Sequence, residues 1–287
     1  MRARSMSWWG LVGVSLVACE HDHGEHGHGQ PVEIRFAAKV GAETFGCDKT
    51  FTGVGATPAT ALEPLDFRLY VHDVRLVDAE GTEWPVTLEQ DRLWQAGALA
   101  LLDFEDKSGT CANGTVETNR SVRGTYDTGH VAVDLVGVRF VVGVPFDDNH
   151  QDVATAESPL NLSGLYWNWN AGYKFTRLDM KVVGGTGINL HVGSMGCQLG
   201  EGTTEVASCA APNRPAIELT GFDPASDTIV IDYAALVDGL DLADDQGGAP
   251  GCMSAADDPE CVTIFGHLGL DITTGLPASG QTAFRVE

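Results

Sequence analysis

The sequence predicts an all-β chain folded as an antiparallel β-sandwich with disulfide-stapled loops, and three observations predict it. Short runs alternate apolar and polar residues with a period of two, as in "VEIRFAAKV", "LDFRLYVHDVRLVD", "GHVAVDLVGVRFVVGV" and "YKFTRLDMKVVGG". That period puts one face of each run in a core and the other toward water. The 35 glycines, with many Pro and Asp turn signals, break the chain into short strands and disfavour an α/β arrangement. Finally, the cysteines beyond the N-terminus are even in number, as in an exported chain braced by disulfides.

The elements follow in order. Residues 1–18, "MRARSMSWWGLVGVSLVA", set Arg2 and Arg4 before a short apolar run, the pattern of an export signal. Its ending, Leu16-Val17-Ala18-Cys19, looks like a bacterial lipoprotein signal with Cys19 as the lipid-bearing residue. The expected location is the periplasm or outer surface, lipid-anchored. Residues 19–30 form a His-rich flexible tether, "EHDHGEHGHGQ" from position 20, with no apolar side chain. Its His21, His23, His26 and His28 are candidates for loose binding of divalent copper, zinc or nickel, as a secondary site.

From residue 31 to 287 a single domain is expected, with a cysteine-rich C-terminal part. The stretches "DTIVIDYAAL" and "ECVTIFGHLGLDI" read as further strands, while "DRLWQAGALALLDFED" could form a helical turn or two.

Charge excludes some partners. Removing Arg2 and Arg4 with the signal leaves 15 Lys and Arg against 40 Asp and Glu, a mature formal charge of −25. Phosphate backbones are bound by Lys and Arg, so nucleic acid is not the partner.

If Cys19 carries lipid, Cys47, Cys111, Cys197, Cys209, Cys252 and Cys261 remain. Spacing favours Cys197 with Cys209 and Cys252 with Cys261, leaving Cys47 for Cys111, although six cysteines allow fifteen connectivities. A thiolate metal site is the competing reading, and no C-x-x-C spacing supports it.

Catalytic motifs are absent from the sequence. There is no G-x-S-x-G elbow and no H-E-x-x-H helix motif. The acidic run "GLDLADDQGG" resembles a calcium loop only loosely, lacking the alternation and terminal glutamate of an EF-hand.

Two histidines stand out. His150 closes the polar loop "VPFDDNHQD" after an apolar strand, and His191 opens the glycine-rich "HVGSMGCQ". His72 ranks behind them. The third feature is "LYWNWNAGYKF", where an extended chain would set Leu165, Trp167 and Trp169 on one face. Such a pair of indoles ordinarily covers a core.

Several of these stretches occur together and in order: "LLDFEDKSGTCANGTVETN", "GVRFVVGVPFDDNHQD", "LNLSGLYWNWNAGYKFTRLDM" and "INLHVGSMGC". In this the chain resembles the MbnP family, the four-cysteine member of the metallo-mystery pair, from about Val32 to Cys197. The resemblance implies an exported copper-binding protein that is not an enzyme. It implies a partner, a di-haem MauG-like enzyme, that oxidises a tryptophan to kynurenine, which then helps hold copper. Carried over by motif, Trp167 and Trp169 are the candidates for oxidation, with His150 and His191 as nearby imidazole donors. Indole offers only an N–H donor, whereas kynurenine offers an amine and a ketone, and imidazoles beside them suit copper. The family's four cysteines map to Cys47, Cys111, Cys197 and Cys209; Cys252, Cys261 and the tether depart from its pattern. The alternative is a structural or adhesive surface module with core tryptophans, no metal function and disulfides for stability.

Overall fold

A computed structural model describes residues 29–56 and 60–287. The export signal, Cys19, and His21, His23, His26 and His28 lie outside the described residues. No helix among the described residues is long and apolar enough to cross a membrane.

Two sheets carry the fold. In the Gln30–Val40 strand the alternation of the sequence becomes burial: Ile34, Phe36, Ala38 and Val40 all point into the core. This strand pairs antiparallel with Ser121–Tyr126. On its other edge it pairs parallel with Thr228–Asp232, a departure from the purely antiparallel expectation. A second parallel pair joins Gly187–Val192 to Gly251–Cys252. Both are physically allowed because long stretches of chain separate the partners and supply the crossover that parallel pairing needs.

The second sheet is organised by one long strand, Thr60–Asp78, whose edges serve several neighbours in turn. Thr176–Val182 pairs with its first half, Leu135–Val142 with its second, and Leu99–Asp103 with its middle. The sheets meet through Phe36 and Phe140, whose rings pack edge to face at 5.6 Å, and through Phe140 and Phe284 in the same geometry at 5.6 Å. Each such pair adds roughly 0.5–1.5 kcal/mol beyond its buried area.

Burial does not stop at that interface. Phe67, Leu69 and Val71 face the partner sheet, yet Asp66, Arg68 and Tyr70 on the opposite face are buried as well. The loops that follow Val142 cover them. Tyr70 donates its hydroxyl to the Pro159 carbonyl at 2.8 Å, and Tyr173 donates to the Leu160 carbonyl at 2.6 Å. The Tyr70 hydroxyl pins the covering loop to the sheet, and the Tyr173 hydroxyl ties it to the short Gly172–Tyr173 strand.

Three local expectations are corrected. In "DTIVIDYAAL" the strand stops at Asp232, whose side chain accepts from Ala234 N and caps the helical turn Tyr233–Leu236. The stretch "ECVTIFGHLGLDI" is not a strand; Pro259–Leu268 is an α-helix. Asp258 caps it by accepting from Glu260 N, Pro259 sits in its first turn, and Gly269 ends it in the left-handed region. Cys261, Ile264, Phe265 and Leu268 then form a helical stripe, all buried. The stretch "DRLWQAGALALLDFED" is not helical; it forms the strands Gln95–Ala96 and Leu99–Asp103, with Gly97 at φ 58° between them. The Asp91 carboxylate accepts from the backbone N–H groups of Leu93, Trp94 and Gln95 and makes the turn that enters this hairpin.

The six cysteines pair as spacing favoured: Cys47 with Cys111, Cys197 with Cys209, and Cys252 with Cys261. The Cys197–Cys209 bridge crosses an antiparallel hairpin, Met195–Leu199 with Val206–Ala211.

Candidate metal centre

The loop-covered face of the long strand's sheet is polar, and strand register explains what meets there. Arg68 lies opposite Arg177, Asp66 opposite Asp179, and Arg177 opposite His191, so all five side chains project from one face. They form a continuous chain of charge. Asp66 accepts from Arg68 Nε at 2.7 Å; Arg177 Nε lies 3.1 Å from Asp66 and 2.8 Å from Asp179. Asp179 Oδ1 in turn lies 2.8 Å from His191 Nε2, close enough for attraction though poorly aligned for a linear hydrogen bond.

Burial alone would push the Asp179 carboxyl up, but His191 and Arg177 beside it outweigh this and hold it below the usual range. Asp66 goes the other way. There, burial wins over Arg68 and Arg177.

His191 is only 5% exposed, and its Nδ1 is buried with no hydrogen-bond partner among the described residues. A carboxylate at Nε2 favours the proton there, which leaves the Nδ1 lone pair free to bind. The Trp167 ring stands beside this imidazole, with centroids 6.4 Å apart and planes at 61°. Gly193 makes the approach possible: a Cβ there would fall 2.5 Å from the Trp167 ring and 2.7 Å from the Tyr173 carbonyl oxygen.

His150 belongs to a neighbouring arrangement. It ends the single turn Phe146–Asn149, with Nδ1 3.2 Å from the Trp169 carbonyl oxygen and Nε2 3.7 Å from Cys209 Sγ. Burial, helped by the Arg214 charge, lowers its pKa against the opposing pull of the Trp169 carbonyl, which favours the neutral, ligand-competent imidazole. Trp169 is 53% exposed and shares with His150, Phe146 and Val206 a cleft of about 340 Å³.

The tryptophans are therefore not equivalent. Leu165 ends a 3₁₀ turn, the strand that follows is only Tyr166–Asn168, and Trp169 falls in the bend after it. The alternation expected over Leu165, Trp167 and Trp169 is broken by this short hairpin. Trp167 is half-buried against His191, while Trp169 faces outward beside His150. The Gly172–Tyr173 strand links the two pairs: Tyr173 N donates to Asn149 Oδ1 at 3.0 Å, and its carbonyl abuts Gly193.

His72 sits elsewhere on the long strand, opposite Val141, where burial and Arg214 lower its pKa to about 4.

Sequence reasoning missed Asp66, Arg68, Arg177 and Asp179. Their signal was present: "LDFRLY" and "TRLDM" place acid and arginine at alternate positions in strands that are otherwise apolar. Such charges read as solvent-facing until a loop is known to cover them.

The charges have a consequence for stability. Burial pushes Asp103 up to about 8 and Glu105 up to about 7, with Arg68 offsetting only part. Carboxyls whose folded pKa exceeds the unfolded value bind protons preferentially in the folded state. Stability should therefore fall as pH rises from about 4 toward 8. Asp103→Asn should flatten that slope in urea unfolding across the range, and an unchanged slope would refute the assignment.

The comparisons agree with this architecture. The MbnP family model matches residues 29–254, more than half of the 287. No curated protein matches the chain. Among solved structures, MbnP from Methylosinus trichosporium superposes with a TM-score of 0.78 at 33% identity, covering 90% of this chain and 98% of that one. With a family model spanning most of the chain and a solved relative matching nearly all of it, this protein belongs to the MbnP family.

Proposed function

We propose that the protein is an exported, lipid-anchored copper-binding protein, not an enzyme, and the substrate of a di-haem MauG-like partner that converts Trp167 to kynurenine. The single observation that carries this reading is the buried, unpaired Nδ1 of His191, backed by Asp179 and edged by Trp167. An imidazole whose far nitrogen faces a carboxylate, and whose near nitrogen has no partner, is the arrangement found at metal-bound histidines.

Oxidation of Trp167 breaks the C2–C3 bond of the indole. Water supplies the two new carbonyl oxygens, electrons leave to the haem oxidant, and protons leave to solvent. Hydrolysis then releases C2 as formate and leaves an aromatic amine beside a ketone. His191 and the new kynurenine would hold copper, with His150 as a further donor from the linked pair. A soft, low-coordinate nitrogen site of this kind suits copper over harder cations. Trp169, exposed and nearby, serves as the outward relay for electrons.

Asp179 orients His191 without touching the metal. Asp179→Asn in the kynurenine-bearing protein should weaken copper binding by roughly 10–100-fold while leaving kynurenine formation intact. Competition with a copper chelator, alongside intact-mass measurement, reads both. Undiminished affinity would remove His191 from the ligand set.

A further inference from the structure

The hairpin closed by Cys197 and Cys209 brings three metal-ligating side chains together beside the His150 cleft. Register sets Cys197 directly opposite Cys209, and His150 Nε2 reaches to 3.7 Å from Cys209 Sγ. One ligand atom from each of the three lies within 4.8 Å of the others. Two ligands that share a copper or zinc ion, at about 2.3 Å for sulfur and 2.0–2.1 Å for nitrogen, stand roughly 3.7 Å apart. The imidazole is therefore already at ligand distance from one sulfur.

His150 is also turned the right way. Its Nδ1 lies 3.2 Å from the Trp169 carbonyl oxygen, an acceptor that holds the ring proton on Nδ1. That leaves the Nε2 lone pair facing the sulfur, with the Asn149 amide nitrogen at 3.4 Å beside it. Neither this Nε2 nor a bridged sulfur carries a proton, so no hydrogen bond joins the two. Accessibility separates this bridge from the other two. Cys47, Cys111, Cys252 and Cys261 are all buried, whereas Cys209 is only half-buried and belongs to a two-stranded sheet outside the two main ones. The same hairpin, through Glu205 and Val206, walls the cleft of about 340 Å³ that holds His150, and Glu205 and Asp147 make its lining acidic. A soluble reductant and a cation thus meet the Cys197–Cys209 bridge first.

We propose that Cys197, Cys209 and His150 form a thiol-gated site for cuprous copper, closed while the disulfide stands and opened by its reduction. A dithiol reductant supplies two electrons and two protons: the S–S bond breaks, two S–H groups form, and the reductant leaves as its own disulfide. Cu⁺ then displaces both thiol protons to solvent and gains two Cu–S bonds and the Nε2 lone pair. Unlinked residues opposed across a hairpin set their Cβ atoms about 4.5–5.5 Å apart, so the sulfurs part around an ion without moving the strands. Two thiolates and one imidazole are a soft set of three donors, which suits Cu⁺. Zn²⁺ in a closed site asks for four protein ligands, and no fourth joins this cluster among the described residues. The site needs neither kynurenine nor His191, so it goes beyond the tryptophan reading and stands or falls without it.

The full chain made without the haem partner, its tryptophans intact, tests the site under anaerobic conditions. Limited dithiothreitol, then alkylation and peptide mapping, should label Cys197 and Cys209 before the other four cysteines. With the reductant removed, titration of Cu⁺ against a cuprous chelator should show a single ion gained by the reduced chain over the oxidised one. The gain is the readout, because the His-rich tether is the same in both states. X-ray absorption should show sulfur and nitrogen neighbours at that ion. His150→Ala should keep the bridge and the fold but weaken the gained Cu⁺ by roughly tenfold or more. Cys197→Ser combined with Cys209→Ser should gain nothing with or without reductant. No gain on reduction would overturn the site, as would an undiminished affinity in His150→Ala or a buried bridge that opens first. Zn²⁺ displacing Cu⁺ from the reduced chain would overturn the choice of metal, and the proposal with it.

Discussion

Trp167→Phe should abolish kynurenine formation and, with it, tight copper binding, whereas Trp169→Phe should leave the same product forming more slowly. The difference follows from position. Trp167 is half-buried at the edge of His191, so its oxidised form lies where an unpaired nitrogen is already waiting. Trp169 is 53% exposed, with only its backbone carbonyl held by His150. Coexpression with the di-haem partner, followed by intact mass and peptide mapping, reads the outcome as one ring carbon replaced by oxygen. Copper stoichiometry on the same samples should track the modification and not the tryptophan count. Full modification in both single variants would sink the assignment of roles. A parent chain that stays unmodified and copper-free beside its partner would favour the structural module.

The second large effect lies beneath the site. Arg68→Ala should destabilise the fold by about 3–5 kcal/mol, the usual result of removing one member of a buried ion pair. Arg68 is 2% exposed and lies among Asp66, Asp103 and Glu105, which are 0%, 2% and 0% exposed. Without the guanidinium, Asp66 keeps Arg177 at 3.1 Å, while Asp103 and Glu105 lose the cation that offsets their burial. Denaturant unfolding measures the loss, with an unchanged m-value marking a genuine stability change. The double variant Asp66→Asn, Arg68→Met should recover part of it, because the closest pair is then neutral and only Asp103 and Glu105, already raised by burial, are left to take up protons. A loss below about 1 kcal/mol in Arg68→Ala would place the pair in the solvent-screened class.

These two effects are coupled through one face of one sheet. The same register that sets Arg68 opposite Arg177 sets Arg177 opposite His191. The charge network is thus both a support of the fold and the means by which an imidazole is oriented toward an indole. Variants in the network should therefore be checked for folding before their copper affinity is interpreted.

How much of this was legible in the sequence varies with the range of the cause. Alternation identified the Gln30–Val40 strand because a strand's inward residues are set by the period of the backbone itself. Cysteine spacing favoured the Cys197–Cys209 and Cys252–Cys261 bridges, since close cysteines need little loop closure to meet, and left Cys47 for Cys111, 64 residues away. The segment "ECVTIFGHLGLDI" misled because its apolar residues fit both a strand and a helix. Its cap residues, Asp258, Pro259 and Gly269, held the better signal. The Trp pair marked the region of the candidate centre, but not which indole is buried, because a 3₁₀ turn and a short hairpin interrupt the strand there.

By itself, the sequence determined the all-β class, the two close cysteine pairs by their spacing, and the strong acidity of the chain, all of them consequences of composition and local period. Only the tertiary structure decided that the second face of the sheet is covered, that Asp179 stands behind His191, and that Trp167 lies inward while Trp169 lies outward. Those facts depend on which loop closes over which strand. A loop's path is set by distant anchors such as Tyr70 on Pro159 and Asn149 on Tyr173, contacts between residues that no local pattern relates.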